Sequence, residues 1–166
     1  MAPVLVALPL AAVGAVWLAQ GPPPVNALPE WGVTALERTG LRSTPQPDTI
    51  SAQFAPCGSG ARTTCVVDGD TIWLHGEKIR IADINTPETS EPACAYEAQL
   101  GAQATARLTQ LLNQGAFAVA PNPDGRDEDQ YGRKLRVLTR GGGSLGDTLV
   151  EEGLAEEWQG YRREWC

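Results

Sequence analysis

One run of helical periodicity divides the C-terminal hundred residues of this chain and limits what it can fold into. From Glu97 to Asn113 the apolar residues Leu100, Ala104, Leu108, Leu111 and Leu112 recur at helical spacing, with Gly115 as a stop. Three β-rich runs precede it: Arg62 to Val67, Thr71 to Leu74, and Glu77 to Ile84, separated by turn signals at Asp68-Gly69 and His75-Gly76. Two follow it, Phe117 to Ala120 and Lys134 to Thr139, around a polar, acidic loop from Pro121 to Gln130. Ser144 to Glu152 reads as a short helix stopped at Gly153, and Leu154 to Trp165 as a second helical stretch. Three strands, a helix, two strands and terminal helices predict an α+β, mainly β domain: a five-stranded oligonucleotide/oligosaccharide-binding (OB) type Greek-key barrel capped by helices. In the third strand Ile79 and Ile81 share one face, so parity puts Arg80 with Lys78 on the other.

The part before the strands has a different composition. Val4 to Ala19 is apolar and uncharged, and no charged residue appears before Glu30. Such a run is short for a membrane span of about 20 residues but suits a secretory leader. Residues 1–20 are therefore expected to be a signal peptide or membrane anchor, a buried core helix being the alternative that Pro9 and Gly14 weaken. Residues 21–60, rich in Pro, Ser and Thr, read as a linker with one weak helical turn around Val33 to Arg38, and 61–166 as the folded domain.

The 4 cysteines, Cys57, Cys65, Cys94 and Cys166, contain no Cys-x-x-Cys pair and stand beside a single histidine, which argues against zinc. An even count behind an apolar leader suggests disulfides in an exported protein, periplasmic, secreted or membrane-anchored, against the alternative of reduced cytosolic thiols. Three connectivities exist. The preferred one pairs Cys57 with Cys65 around Gly58-Ser59-Gly60 and Cys94 with Cys166, stapling the C-terminus behind Glu88.

The formal net charge of −7 counts against a protein that coats nucleic acid by broad electrostatics. Contact with a polyanion has to rest on a few local cations and a metal ion. The candidates are Asp68-Gly69-Asp70-Thr71, Arg80, Asn85-Thr86-Pro87-Glu88 and Tyr131-Gly132-Arg133. They offer oxygens for a hard cation, a carboxylate on a turn stiffened by Pro87, and two arginines far apart in sequence. These are the parts phosphodiester cleavage needs. An EF-hand is excluded, because the twelfth position counted from Asp68 is Ile79 and not Glu. Taken singly, Arg80 and Arg133 suit ordinary surface salt bridges, Tyr131 a base stack or a covering role, and His75 a solvated turn. Asp127-Glu128-Asp129 reads as a mobile solvated loop.

In order and spacing these segments, with the later Leu149-Val150-Glu151-Glu152-Gly153-Leu154-Ala155, resemble the staphylococcal nuclease (thermonuclease) family from about Val66 to Tyr161. The resemblance implies that Asp70 is the principal calcium-ligating carboxylate and that Thr86 ligates through its carbonyl. Asn85 falls where the family carries a second ligating Asp. It implies that Glu88 is the general base, that Arg80 and Arg133 hold the phosphate, and that Tyr131 lines the nucleotide pocket, with Tyr161 a further candidate there. Asn85 keeps an oxygen but removes one negative charge, so weaker calcium binding is expected. The long final helix of the family's secreted members is expected to be mostly absent, with a Cys94–Cys166 bridge replacing part of its role.

The expectation is a calcium-dependent nuclease acting on DNA, with RNA as a second substrate, and with no protein partner evident. The alternative left open is a catalytically weakened OB-type module that binds an oligonucleotide or a partner in the cell envelope.

Overall fold

The computed structural model describes residues 45–166. The expected leader, the start of the linker and the turn at Val33 to Arg38 lie outside them. No helix among the described residues is long and apolar enough to cross a membrane.

The strands are β1 (Cys65–Asp68), β2 (Thr71–Leu74), β3 (Glu77–Ile81), β4 (Ile84–Asn85), β5 (Ala118–Pro121), β6 (Lys134–Arg140), β7 (Gly143–Ser144) and β8 (Glu156–Glu157). Helix α1 (Ala95–Asn113) lies between β4 and β5, and helix α2 (Leu145–Glu151) between β7 and β8. The main sheet runs β1-β2-β3-β6-β5, with β7 on β6. β3 and β6 are parallel and the other neighbours antiparallel. This is the mixed sheet and strand order of an OB-like α+β fold. Ile72, Ile79, Ile81, Leu108, Leu112, Phe117, Leu138 and Leu149 are buried together between sheet and helices.

The predicted barrel is not closed by strand pairing between its edges, because β1 and β5 do not pair. The segment between them is one the sequence assigned to the linker. Ile50 exchanges backbone hydrogen bonds with Phe117 beside β5 (Ile50 N to Phe117 O 2.9 Å, Phe117 N to Ile50 O 3.0 Å). Further along, Val66 N of β1 donates to Ala55 O at 2.9 Å and Cys57 N to Val66 O at 2.8 Å. Phe54 is buried in the core against Phe117, with ring centroids 6.1 Å apart. The compact unit therefore begins at Pro45, not Ala61.

Two further expectations are corrected. The third strand ends at Ile81, and Ile84–Asn85 forms a separate short strand paired with β8. The predicted terminal helix from Leu154 to Trp165 does not form. Gly153 (φ 72°) closes α2 in a Schellman motif, with Gly153 N donating to Val150 O at 3.0 Å and Leu154 N to Leu149 O at 2.8 Å. The reversed chain then pairs with β4, and its backbone hydrogen bonds are made there instead of along a helix. Both preferred disulfides are present: Cys57–Cys65 with Cα atoms 4.9 Å apart, and Cys94–Cys166 with Cα atoms 6.1 Å apart.

Candidate active site

Asp70 ends the tight turn between β1 and β2, and Gly69 lets this turn approach the Asn85-Thr86-Pro87-Glu88 segment. A Cβ at position 69 would lie 2.7 Å from the Ala104 Cβ and 2.8 Å from the Thr86 Cγ2, so only glycine fits. The Asp70 carboxylate is buried and fully engaged. Its Oδ1 accepts from the Thr71 hydroxyl at 3.0 Å, and its Oδ2 accepts from Thr86 N at 3.1 Å. The Arg80 guanidinium lies 2.9 Å from the same Oδ2. Arg80 is on the face that parity predicts, but it is buried: Nη1 donates to Ile81 O at 2.8 Å, and Cζ sits 5.6 Å from the Trp158 ring centroid. Trp158 is held there by its backbone N–H, which donates to Asp83 O at 2.8 Å.

Asn85 is buried on β4 opposite Glu156 of β8, and its Nδ2 donates to Glu156 Oε1 at 3.1 Å. Asp70, Asn85 and Thr86 thus come together from two distant stretches. Asp68 stands beside them, its Oδ1 accepting from Asp70 N at 3.2 Å. Burial pushes the Asp68 carboxyl up to about 7, and the neighbouring Asp70 charge adds to the rise.

Glu88 is held at both ends. Its N–H donates to Glu97 Oε1 at 3.3 Å, while Glu97 Oε2 accepts from Ala93 N at 2.6 Å. Glu97 is the third residue of α1, where a carboxylate satisfies backbone donors ahead of a helix, and that position was the available sequence signal for its role. The Glu88 side chain pairs with Arg162 from the segment that Cys166 fastens to Cys94.

Arg133 is aimed by the acidic loop. Its Nε lies 2.6 Å from Asp129 Oδ2, while Asp129 Oδ1 accepts from Tyr131 N at 2.9 Å and from Arg133 N at 3.0 Å. Burial opposes it, yet these hydrogen bonds and the Arg133 charge hold the Asp129 carboxyl below its ordinary value. The expected mobile loop is in fact pinned at three points. Asp127 also pairs with Lys134 and Arg136, each at 2.7 Å, and Glu128 with Lys134 at 2.6 Å. Tyr131 is exposed, with the Arg133 Cζ 5.6 Å from its ring centroid.

Arg80, Arg133, Tyr131, Trp158, Arg126 and Arg162 line one cavity of about 430 Å³. The two predicted arginines, on parallel neighbours β3 and just ahead of β6, therefore face one space. Asp70 and Glu88 adjoin it through their pairs with Arg80 and Arg162. Tyr161 does not join them. It lines a separate depression with Glu156, Glu157, Gln159 and Arg163, and its hydroxyl donates to Gln159 Oε1 at 3.1 Å. His75 is a turn residue with φ 51°. Sequence reading missed Glu97, Asp129, Glu156, Trp158 and Arg162. For Asp129 a signal existed, since an Asp two residues before a turn amide commonly caps it.

Among the described residues no three His, Cys, Asp or Glu side chains stand grouped for a metal. Were Asp70, Asn85 and Thr86 to hold an ion, the Asp70 carboxylate, the Asn85 amide oxygen and the Thr86 carbonyl would be all-oxygen donors, which suit a hard divalent cation in type while supplying little charge.

The family profile described as "Staphylococcal nuclease homologue" matches residues 78–164, which include Arg80, Asn85 to Glu88 and Arg133 but leave Asp70 just outside. Among curated proteins the chain is 36% identical over 93 residues to the endonuclease YncB of Bacillus subtilis, covering 54% of this chain and 43% of that protein. It is likewise 36% identical over 93 residues to the SPbeta prophage-derived endonuclease YokF of the same organism, covering 54% of this chain and 31% of that protein. To the thermonuclease of Staphylococcus intermedius it is 32% identical over 94 residues, covering 54% of each. The matched part thus spans from about a third to about half of these relatives' length. A profile match over more than half of the chain, falling on the segments that wall the arginine-lined cavity, places this protein in the staphylococcal nuclease homologue family.

Proposed function

We propose that the protein is a calcium-dependent nuclease hydrolysing phosphodiester bonds in DNA and RNA. The observation that carries this reading is the convergence of Arg80 and Arg133 on one cavity, each oriented by a carboxylate (Asp70 and Asp129). Two guanidinium groups fixed before substrate arrives stabilise the charge on the phosphoryl oxygens without reorganising during the reaction. Tyr131, on the cavity rim, offers a stacking face to a base. Glu88 takes the proton from the attacking water. Its backbone is anchored by Glu97 beside the stiff Pro87, so the carboxylate is reproducibly placed. A divalent cation held by Asp70, Asn85 and Thr86 would supply Lewis-acid stabilisation of the phosphoryl oxygen.

The two disulfides support an oxidising compartment, with residues 1–20 as signal peptide or membrane anchor and the nuclease unit exported.

Cleavage of a single-stranded DNA oligonucleotide is the test. Activity with calcium is expected to disappear in EDTA and to fall at least about hundredfold in Arg80→Lys, which keeps the charge beside Asp70 but not the planar fork. Undiminished cleavage in EDTA would reject the metal dependence, and undiminished cleavage by the variant would reject the role of Arg80. A second reading, the non-catalytic oligonucleotide binder, is favoured by one observation: the Glu88 carboxylate is already paired with Arg162. Oligonucleotide binding by a wild-type protein that never cleaves would establish it.

A further inference from the structure

The cation site is short of charge. Its one carboxylate, Asp70, is balanced by the Arg80 guanidinium 2.9 Å away, and Asn85 and Thr86 contribute neutral oxygens. A divalent cation would meet almost no net negative charge from these three residues, although ligand charge count helps set affinity for such ions. Asp68 adjoins, but its Oδ1 is committed to the Asp70 amide within its own turn.

A different carboxylate touches a donor side chain directly. Glu156 lies opposite Asn85 in the β4–β8 register, so the two side chains share a face. Glu156 Oε1 accepts from Asn85 Nδ2 at 3.1 Å and from Arg163 N at 3.1 Å. With Nδ2 committed to Glu156, the amide is fixed with Oδ1 turned away from that carboxylate. Glutamate is disfavoured in strands, and here it is Glu157, one position on, that is exposed, while Glu156 is half-buried against the buried Asn85.

We propose that Glu156 is a positioning residue of the cation site: it orients the Asn85 amide and returns to the site, one hydrogen bond removed, the negative charge that an asparagine ligand does not bring. This inference rests on the reading of Asp70, Asn85 and Thr86 as cation ligands. Outer carboxylates of this kind typically change metal affinity by about 10- to 100-fold when removed.

A charge swap on the disulfide-intact protein tests it, using calorimetric titration with calcium chloride and thermal unfolding in EDTA. Glu156→Gln keeps an acceptor for Asn85 Nδ2 but loses the charge, and calcium affinity is expected to fall about tenfold or more. Asn85→Asp sets two carboxylates face to face across the strands, and the melting temperature in EDTA is expected to fall by roughly 4 °C. In the double variant Asn85→Asp/Glu156→Gln, the glutamine amide introduced on β8 donates to the aspartate introduced on β4, so melting temperature and calcium affinity both return close to wild type. A merely structural Glu156 would leave calcium affinity unchanged in Glu156→Gln, whatever the swap does to the melting temperature. Equal calcium affinity in wild type and Glu156→Gln overturns the role of Glu156 and leaves the cation reading standing. A wild type that takes up no calcium overturns the cation reading itself, and the inference with it.

Discussion

Asp129 shows how one residue in an apparently passive loop aims a functional group. It accepts from the Tyr131 and Arg133 amides and pairs with the Arg133 side chain, so the guanidinium is fixed by the fold and not by substrate. Because its folded pKa lies below the ordinary 3.8, this pairing contributes stability above pH 3.8 that is lost as pH falls through the lower folded value. Asp129→Asn keeps an acceptor for the two amides but loses the charge, so it should cost about 1 kcal/mol at pH 7. Urea unfolding across pH should show the gap between wild type and variant closing below about pH 4, the ordinary range for an aspartate. A constant gap would mean that the charge on Asp129 does not matter. At the same scale, Asp70, Asn85, Thr86, Glu88, Arg80 and Arg133 were legible as candidates because local motifs carry them. Glu156, Trp158 and Arg162 were invisible. Their partners lie at distances in sequence that only the β4–β8 pairing and the Cys94–Cys166 bridge bring to contact.

Among the elements, α1 does more than cover the sheet. At Gly101 it passes so close to the Asn85-Thr86-Pro87-Glu88 segment that an added Cβ would lie 2.7 Å from Pro87 O and 3.0 Å from Glu88 O. The neighbouring atoms are backbone and cannot rotate away, so Gly101→Ala should push the segment off the helix and displace Glu88 with it. An overpacking cost of about 1–3 kcal/mol is expected, with a fall in kcat larger than any change in KM, measured by steady-state cleavage. Unchanged kcat would mean that the helix does not set the position of Glu88. The helix itself was legible from its periodicity, to within two residues at its start. The stretch after Gly153 was misread as helical for a physical reason: its propensity is compatible with a helix, but Gly153 reverses the chain and β4 offers it an open edge. Tertiary pairing then outweighs a local preference worth only tenths of a kcal/mol per residue.

For the molecule as a whole, residues 50–57 form hydrogen bonds to both edges of the main sheet and bury Phe54 in the shared core. Composition hid this. The surrounding stretch 21–60 is rich in Pro, Ser and Thr, and the apolar side chains Ile50, Ala52 and Phe54 are too few to register as a strand within it. Phe54→Ala should therefore destabilise the domain by about 3–5 kcal/mol, as for a buried core aromatic, when measured by denaturant unfolding. A loss below about 0.5 kcal/mol would return the segment to the status of a linker. The central claim concerns the cavity, where segments from β3, the β5–β6 connection and the C-terminal stretch place Arg80, Arg133 and Arg162 around one space. Single-turnover cleavage of a single-stranded DNA oligonucleotide at saturating calcium, comparing wild type with Arg133→Ala, tests it most directly. The account predicts a rate roughly 100- to 1,000-fold lower in the variant, with the fold intact by circular dichroism; cleavage within twofold of wild type would contradict it.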